Sequence, residues 1–119
     1  WALMKGLLTG KFQRDHKLHP DDPRKSQAPF QGEEWQRNQD LLDKLRAMAE
    51  AKAISVTELV VAWTIAQPGI TAALCGAKRT EQIAESAAAL KVQLSADDLE
   101  SIDQALRERG PAETKRKFT

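Results

Sequence analysis

Apolar residues recur three and four positions apart at Leu41, Leu42, Leu45, Met48 and Ala49, with charged residues between them. That spacing predicts an amphipathic helix over about 34–52. Ser55 and Glu58 then stand at the spacing of a capping box, which predicts a second helix to about Gln67. Its apolar residues Leu59, Val60, Trp63 and Ile65 cover more than one face, so this helix is expected to be mostly buried. Pro68-Gly69 stops it. Ile70 to Leu74 is small and apolar without alternation, the pattern of a short strand buried on both faces of a parallel sheet. A third helix is predicted from Thr80 to about Leu90. Ser95 caps a fourth, with Leu99, Ile102 and Leu106 on one face, ending near Gly110-Pro111.

The chain upstream of these elements has a different character. In residues 1–12, Gly6 and Gly10 interrupt an apolar run, which predicts a loop with one short helical turn. Residues 13–34 are polar and carry Pro20, Pro23, Pro29 and Gly32, so they read as one long, lid-like loop. Residues 111–119 read as a tail, with the basic run Lys115-Arg116-Lys117 in solvent. One strand among four helices cannot form a sheet, because its backbone groups need lateral partners. Together with a start at Trp1 rather than methionine, this predicts a piece of a larger protein.

Composition narrows the function classes. The 119 residues carry a net charge of +1, too little field to argue for nucleic acid or an anionic membrane surface. A single cysteine excludes an internal disulfide framework and suits a reducing compartment, and no apolar run approaches the roughly 20 residues of a membrane span. A cytoplasmic protein is the expectation. No Ser-His-Asp or Cys-His arrangement has supporting context, and the chain contains no tyrosine.

Two stretches could hold an anion. The first is the Gly6–Gly10 loop, whose amides could cradle a diphosphate between Lys5 and Lys11. The second runs from Gly76 through Lys78 and Arg79 into the third helix. A helix start leaves N–H groups unpaired and carries partial positive charge, and the two side chains add full charges there. On that helix Gln82, Glu85 and Ser86 share a face, offering an amide, a carboxylate and a hydroxyl to a purine edge. An ordinary glycine turn and a solvated helix face are the plainer readings. His16 and His19, with Asp15, Asp21 and Asp22, have no scaffold for a metal site. Cys75 reads as a small packing residue, as do Trp35 and Trp63; Trp1 would pack or line a pocket at a strand end.

The chain resembles the C-terminal third of the aldo-keto reductase family, in its bacterial NADPH-dependent branch. The resemblance rests on Gly6-Leu7-Leu8-Thr9-Gly10-Lys11-Phe12, on Phe30-Gln31-Gly32-Glu33, and on Val61-Ala62-Trp63-Thr64-Ile65-Ala66-Gln67 before Pro68. It rests further on Gly76-Ala77-Lys78-Arg79 with Gln82 and Glu85, and on Leu94-Ser95. It implies an α/β fold, the last part of a (β/α)8 barrel, with Ile70–Leu74 as the eighth strand. It implies a nicotinamide cofactor and a small carbonyl substrate. Leu3, Lys5, Gly6, Leu8 and Gly10 would belong to the loop over the pyrophosphate. Gly76, Ala77, Lys78 and Arg79 would hold the adenosine 2′-phosphate, and Gln82, Glu85 and Ser86 would surround the adenine. The family usually has asparagine at the position of Ser86. The two cations imply NADPH rather than NADH. The family's catalytic tyrosine, aspartate, lysine and histidine would lie upstream, so no catalytic residue is assigned here and the 119 residues alone would be inactive.

Two other classes remain open from the residues themselves. A non-catalytic helical interaction module would self-associate without responding to nucleotide. A helix-turn-helix DNA binder is disfavoured by the charge balance and by the buried character of the second helix.

Overall fold

The computed structural model describes residues 2–112; the expectations for Trp1 and for the 113–119 tail lie outside the described residues. Four α-helices carry the architecture: α1 Gly32–Ala51, α2 Val56–Ala66, α3 Thr80–Ala88 and α4 Ala96–Arg109. Their ends follow the local chemistry read from the sequence. Ser55 Oγ accepts from the Glu58 amide at 3.1 Å to start α2. Ser95 and Asp98 close a full reciprocal capping box at the start of α4, at 3.1 and 2.8 Å. A single turn of 3-10 helix, Ala89–Lys91, extends α3.

α2 is the centre of the packing. Its residues Val56, Leu59 and Val60 join Leu41, Leu42, Leu45 and Ala49 of α1 and Ile102 and Ala105 of α4 in the main core. Its other side contributes Val61 and Ala62 to a second cluster with Ala89. A helix buried on two sides is what its apolar composition requires. At the open end of the α1–α4 pair, Arg109 and Glu34 form an ion pair at 2.6 Å with side chains only 7% and 8% exposed. Arg37 donates to Glu34 at 2.8 Å and to the Arg109 carbonyl at 2.6 Å, so the last turn of α4 is fastened to the first turn of α1.

The strand expected over Ile70–Leu74 is not formed among the described residues, and its burial on two faces is corrected as well. Residues 70–77 have no regular structure. Ala73 and Cys75 lean on the second cluster, whereas Leu74 is 89% and Ile70 44% exposed. The cause is physical: a strand is stabilised by neighbours on both edges, and the described residues offer it none. Ile83 and Leu90 of the α3 region are also exposed apolar residues, continuing the uncovered side. No helix among the described residues is long and apolar enough to cross a membrane.

Candidate functional site

The glycine-rich start of the chain forms a tight, left-handed turn. Met4, Lys5 and Gly6 all have positive φ, of 45°, 56° and 89°, and 3-10 hydrogen bonds cover Met4–Thr9. Only glycine enters this region at little cost, so the two non-glycine residues carry local strain. Leu7, fully buried in the main core, anchors the turn, and Thr9 Oγ1 donates to the Gly6 carbonyl at 2.7 Å. Lys11 folds back over the turn: its Nζ stands 3.3 Å from where a Gly6 Cβ would lie, and Arg24 Nη1 stands 3.7 Å from the same point. A glycine recess faced by two cations fits an anionic group that approaches the backbone closely.

Gly10 closes the turn at φ +75°, and a Cβ built there would stand 3.0 Å from Val56 Cγ2. Gly10→Ala is therefore expected to cost about 2 kcal/mol, from left-handed strain plus overpacking against α2. Urea unfolding checks it, with Val56→Ala added as relief. A loss below about 0.5 kcal/mol would contradict the geometry.

The long loop over 13–31 does not float. Pro23–Ser26 and Ala28–Phe30 form turns of 3-10 helix, and Asp22 caps the first by accepting from the Arg24 amide at 2.9 Å. The Asp22 carboxylate also grips the Arg24 guanidinium, at 2.6 Å to Nη2 and 2.9 Å to Nε. Arg24 lies over the rings of Phe12 and Phe30, at 5.1 and 5.9 Å, and its Nη1 donates to the Lys5 carbonyl at 3.1 Å. Lys5 Nζ donates to Gln27 Oε1 at 2.8 Å. The loop thus delivers Arg24 to the glycine turn, a residue that sequence reading did not single out. Its only signal was an arginine two residues after an aspartate across a proline.

Arg24 holds the Asp22 carboxyl down to about 2, first through the side-chain hydrogen bond and then through the amide bond. A carboxyl with a lowered folded-state pKa stabilises the fold above its ordinary pKa near 4 and loses that contribution as pH falls through the folded value. The unfolding midpoint of wild type minus that of Asp22→Asn is therefore expected to be level from pH 7 to about 5 and to shrink toward pH 2. A difference that disappears already at pH 5 would show that the clamp is absent.

The second stretch is exposed at Gly76, Ala77, Lys78 and Arg79. Gly76 is not left-handed and a Cβ there would meet nothing within 4 Å, so the sharp glycine turn expected at this point is not required by the backbone. Gln82 does not present its whole amide outward. Its Oε1 accepts from the Lys78 and Arg79 amides at 2.7 and 3.2 Å, which caps α3 and fixes the approach of the two basic residues. Glu85 and Ser86 are half-buried one turn further on.

The two stretches converge. Leu3 packs against both core clusters, and Ala73 and Cys75 pack against the second, so the glycine turn and the segment leading to Gly76 share one flank of α2. Lys11 has its pKa lowered first by partial burial, and then by the positive charges of Arg24, Arg79 and Lys78, which Asp22 offsets only in part. Lys78 and Arg79 thus stand close enough to Lys11 for their charges to act on it. Leu8 packs on the main core and Gly10 backs onto Val56, whereas Lys5 is exposed and Gly6 is faced by Lys11 and Arg24. Among the described residues no group of three or more His, Cys, Asp or Glu could hold a metal ion.

Comparison with known proteins gives this geometry a setting. The model of the aldo/keto reductase family matches residues 1–107. The chain is similar to an NADP(+) aldo-keto reductase of Schizosaccharomyces pombe, 31% identical over 103 residues, 87% of this chain and 30% of the relative. It is similar to the NADH-specific methylglyoxal reductase of Escherichia coli, 32% identical over 96 residues, 81% of this chain and 29% of the relative. Its structure resembles that of a glycerol dehydrogenase from Gluconobacter oxydans with a TM-score of 0.81 and 28% identity, covering 99% of this chain and 36% of that one. The chain spans about a third of the length of these relatives. The helices packed around α2, the neighbour that superimposes on them and the match over 107 residues agree: the chain belongs to the aldo/keto reductase family and forms part of its (β/α)8 barrel.

Proposed function

We propose that this chain is the cofactor-phosphate-holding part of an NADPH-dependent oxidoreductase that reduces aldehydes or ketones to alcohols. The observation that supports the reading is a glycine turn faced by Lys11, with the exposed Lys78 and Arg79 at the α3 start reached by a segment that packs on the same cluster as Leu3. Gly6, Gly10 and the neighbouring Leu3, Lys5 and Leu8 shape the recess for the pyrophosphate, with Lys11 supplying charge and Arg24, paired with Asp22, bordering it. Gly76, Ala77, Lys78 and Arg79 take the adenosine 2′-phosphate. Gln82, held against the α3 start, and the half-buried Glu85 and Ser86 border the adenine.

The division of labour follows from spacing and charge. When bound, the nicotinamide supplies a hydride to the carbonyl carbon. The residues of this chain bind and orient: two phosphate-bearing regions of one extended cofactor are fixed at two anchored backbone segments. Fixing both limits the cofactor's freedom before the carbonyl arrives. Arginine and lysine near a phosphate dianion make charge-assisted hydrogen bonds about twice as strong as neutral ones. The relatives divide between NADP(+) and NADH in their names, so the choice of cofactor rests on local residues rather than on the fold. Lys78 and Arg79 are the local argument for NADPH.

The proton donor for the carbonyl oxygen is assigned outside these 119 residues, which contain no tyrosine. The 119-residue chain alone is therefore expected to give no NADPH-dependent carbonyl reduction above background in a spectrophotometric assay. Measured turnover would overturn that assignment. Isolated, the chain is expected to self-associate through the uncovered Ile70, Leu74, Ile83 and Leu90.

A further inference from the structure

The backbone that carries Lys11 is held from beneath by α1. Arg46 Nη2 donates to the carbonyls of Gly10 and Phe12, at 3.0 and 2.8 Å. Gln39 Nε2 donates to the same Phe12 carbonyl at 3.2 Å. Arg46 is itself oriented by Asp43, at 2.7 Å from its Nη1, and Asp43 is held on its other oxygen by Arg14 at 2.9 Å. The Gly10 carbonyl lies in the peptide plane that enters Lys11 and the Phe12 carbonyl in the plane that leaves Phe12, so these bonds hold the Lys11–Phe12 segment at both of its ends.

This arrangement is costly as packing alone. Gln39 is fully buried, yet its Oε1 has no hydrogen-bond partner among the described residues, and the same holds for Arg46 Nε. Buried polar atoms without partners cost stability, and an apolar residue of similar volume at position 39 would avoid that cost. What the polar pair provides is an aimed backbone. Buried networks of this kind restrict a segment to one geometry.

We propose that Arg46 and Gln39 are positioning residues: by holding the Gly10 and Phe12 carbonyls they aim Lys11 at the phosphates of the cofactor. The proposal rests on the reading of the Gly6–Lys11 turn as the pyrophosphate site. They touch no cofactor themselves, so their whole effect passes through Lys11.

The test is NADPH titration of the full-length protein by cofactor fluorescence, on Arg46→Met, Arg46→Lys and Gln39→Leu, each made also in a Lys11→Met background. The thermal midpoint without nucleotide is measured in parallel. Arg46→Met and Gln39→Leu are each expected to weaken NADPH about tenfold, with Arg46→Lys recovering part of the loss. Gln39→Leu is expected to keep or raise the thermal midpoint while still losing affinity, a split that a merely structural role would not produce. In the Lys11→Met background the same changes are expected to cost less than about twofold further. Wild-type affinity in the Arg46 and Gln39 variants, or equal losses with and without Lys11, would overturn the proposal. A wild-type protein that fails to bind NADPH, or a Lys11→Met variant that binds it unimpaired, would instead remove the pyrophosphate reading, and the proposal with it.

Discussion

Replacing Lys78 and Arg79 together by alanine in the full-length protein is expected to raise the Kd for NADPH about a hundredfold and to change that for NADH by less than about threefold. The two side chains are exposed at the start of α3 and lie within electrostatic reach of Lys11. A 2′-phosphate placed there would gain two charge-assisted contacts that NADH lacks. The magnitude follows from about 1.5 kcal/mol for each such bond, discounted for exposure, since 1.4 kcal/mol is a factor of ten. The effect must also fall with added salt, because surface charges are screened. Equal losses for both cofactors would move the 2′-phosphate elsewhere and leave the two residues as ordinary surface cations.

The largest expected loss of stability lies where α4 meets the start of α1. Arg109→Met should destabilise the fold by about 3 kcal/mol, read from urea unfolding monitored by tryptophan fluorescence. The Arg109–Glu34 pair is almost wholly buried, at 7% and 8% exposure, and removing the cation leaves a buried carboxylate. Arg37 keeps one bond to Glu34 at 2.8 Å, which places the loss at the lower end of the range for broken buried pairs. The double change Arg109→Met with Glu34→Leu should recover part of it, because no buried carboxylate then remains, and Arg37, 32% exposed, keeps its bonds to the Arg109 and Pro111 carbonyls. A single-variant loss below about 1 kcal/mol would mean that water reaches Glu34 readily.

These two results come from features of unequal visibility in the sequence. The caps of α2 and α4 were legible because Ser55 with Glu58 and Ser95 with Asp98 act within one turn of chain. The burial of α2 on two sides was legible from its composition alone. The Arg109–Glu34 pair was not, since its partners are 75 residues apart and only the packing of α4 on α1 brings them together. Arg24 was hidden for a related reason. Its place beside the glycine turn depends on how a proline-rich loop folds, and the loop is ordered by Asp22, Phe12 and Phe30 rather than by any periodic pattern. The strand expected over Ile70–Leu74 is the opposite case. Its composition suits burial on both faces, but such burial needs sheet neighbours that the described residues do not supply. Lys78, Arg79 and Gln82 were readable as a helix start. That Gln82 spends its oxygen on capping the Lys78 and Arg79 amides was not, because a side chain's choice between its own helix and a ligand leaves no mark in spacing.

The central claim is that the Gly6–Lys11 turn and the α3 start hold the cofactor's phosphates, with the 2′-phosphate at Lys78 and Arg79. Phosphorus NMR of NADP(+) bound to the full-length protein tests it most directly, because the 2′-phosphate titrates near pH 6 when free. Two adjacent cations favour the dianion, so the account predicts that the bound 2′-phosphate resonance titrates below its free value and returns toward it in Lys78→Ala and Arg79→Ala. A bound cofactor whose 2′-phosphate titrates as it does in water would contradict the claim.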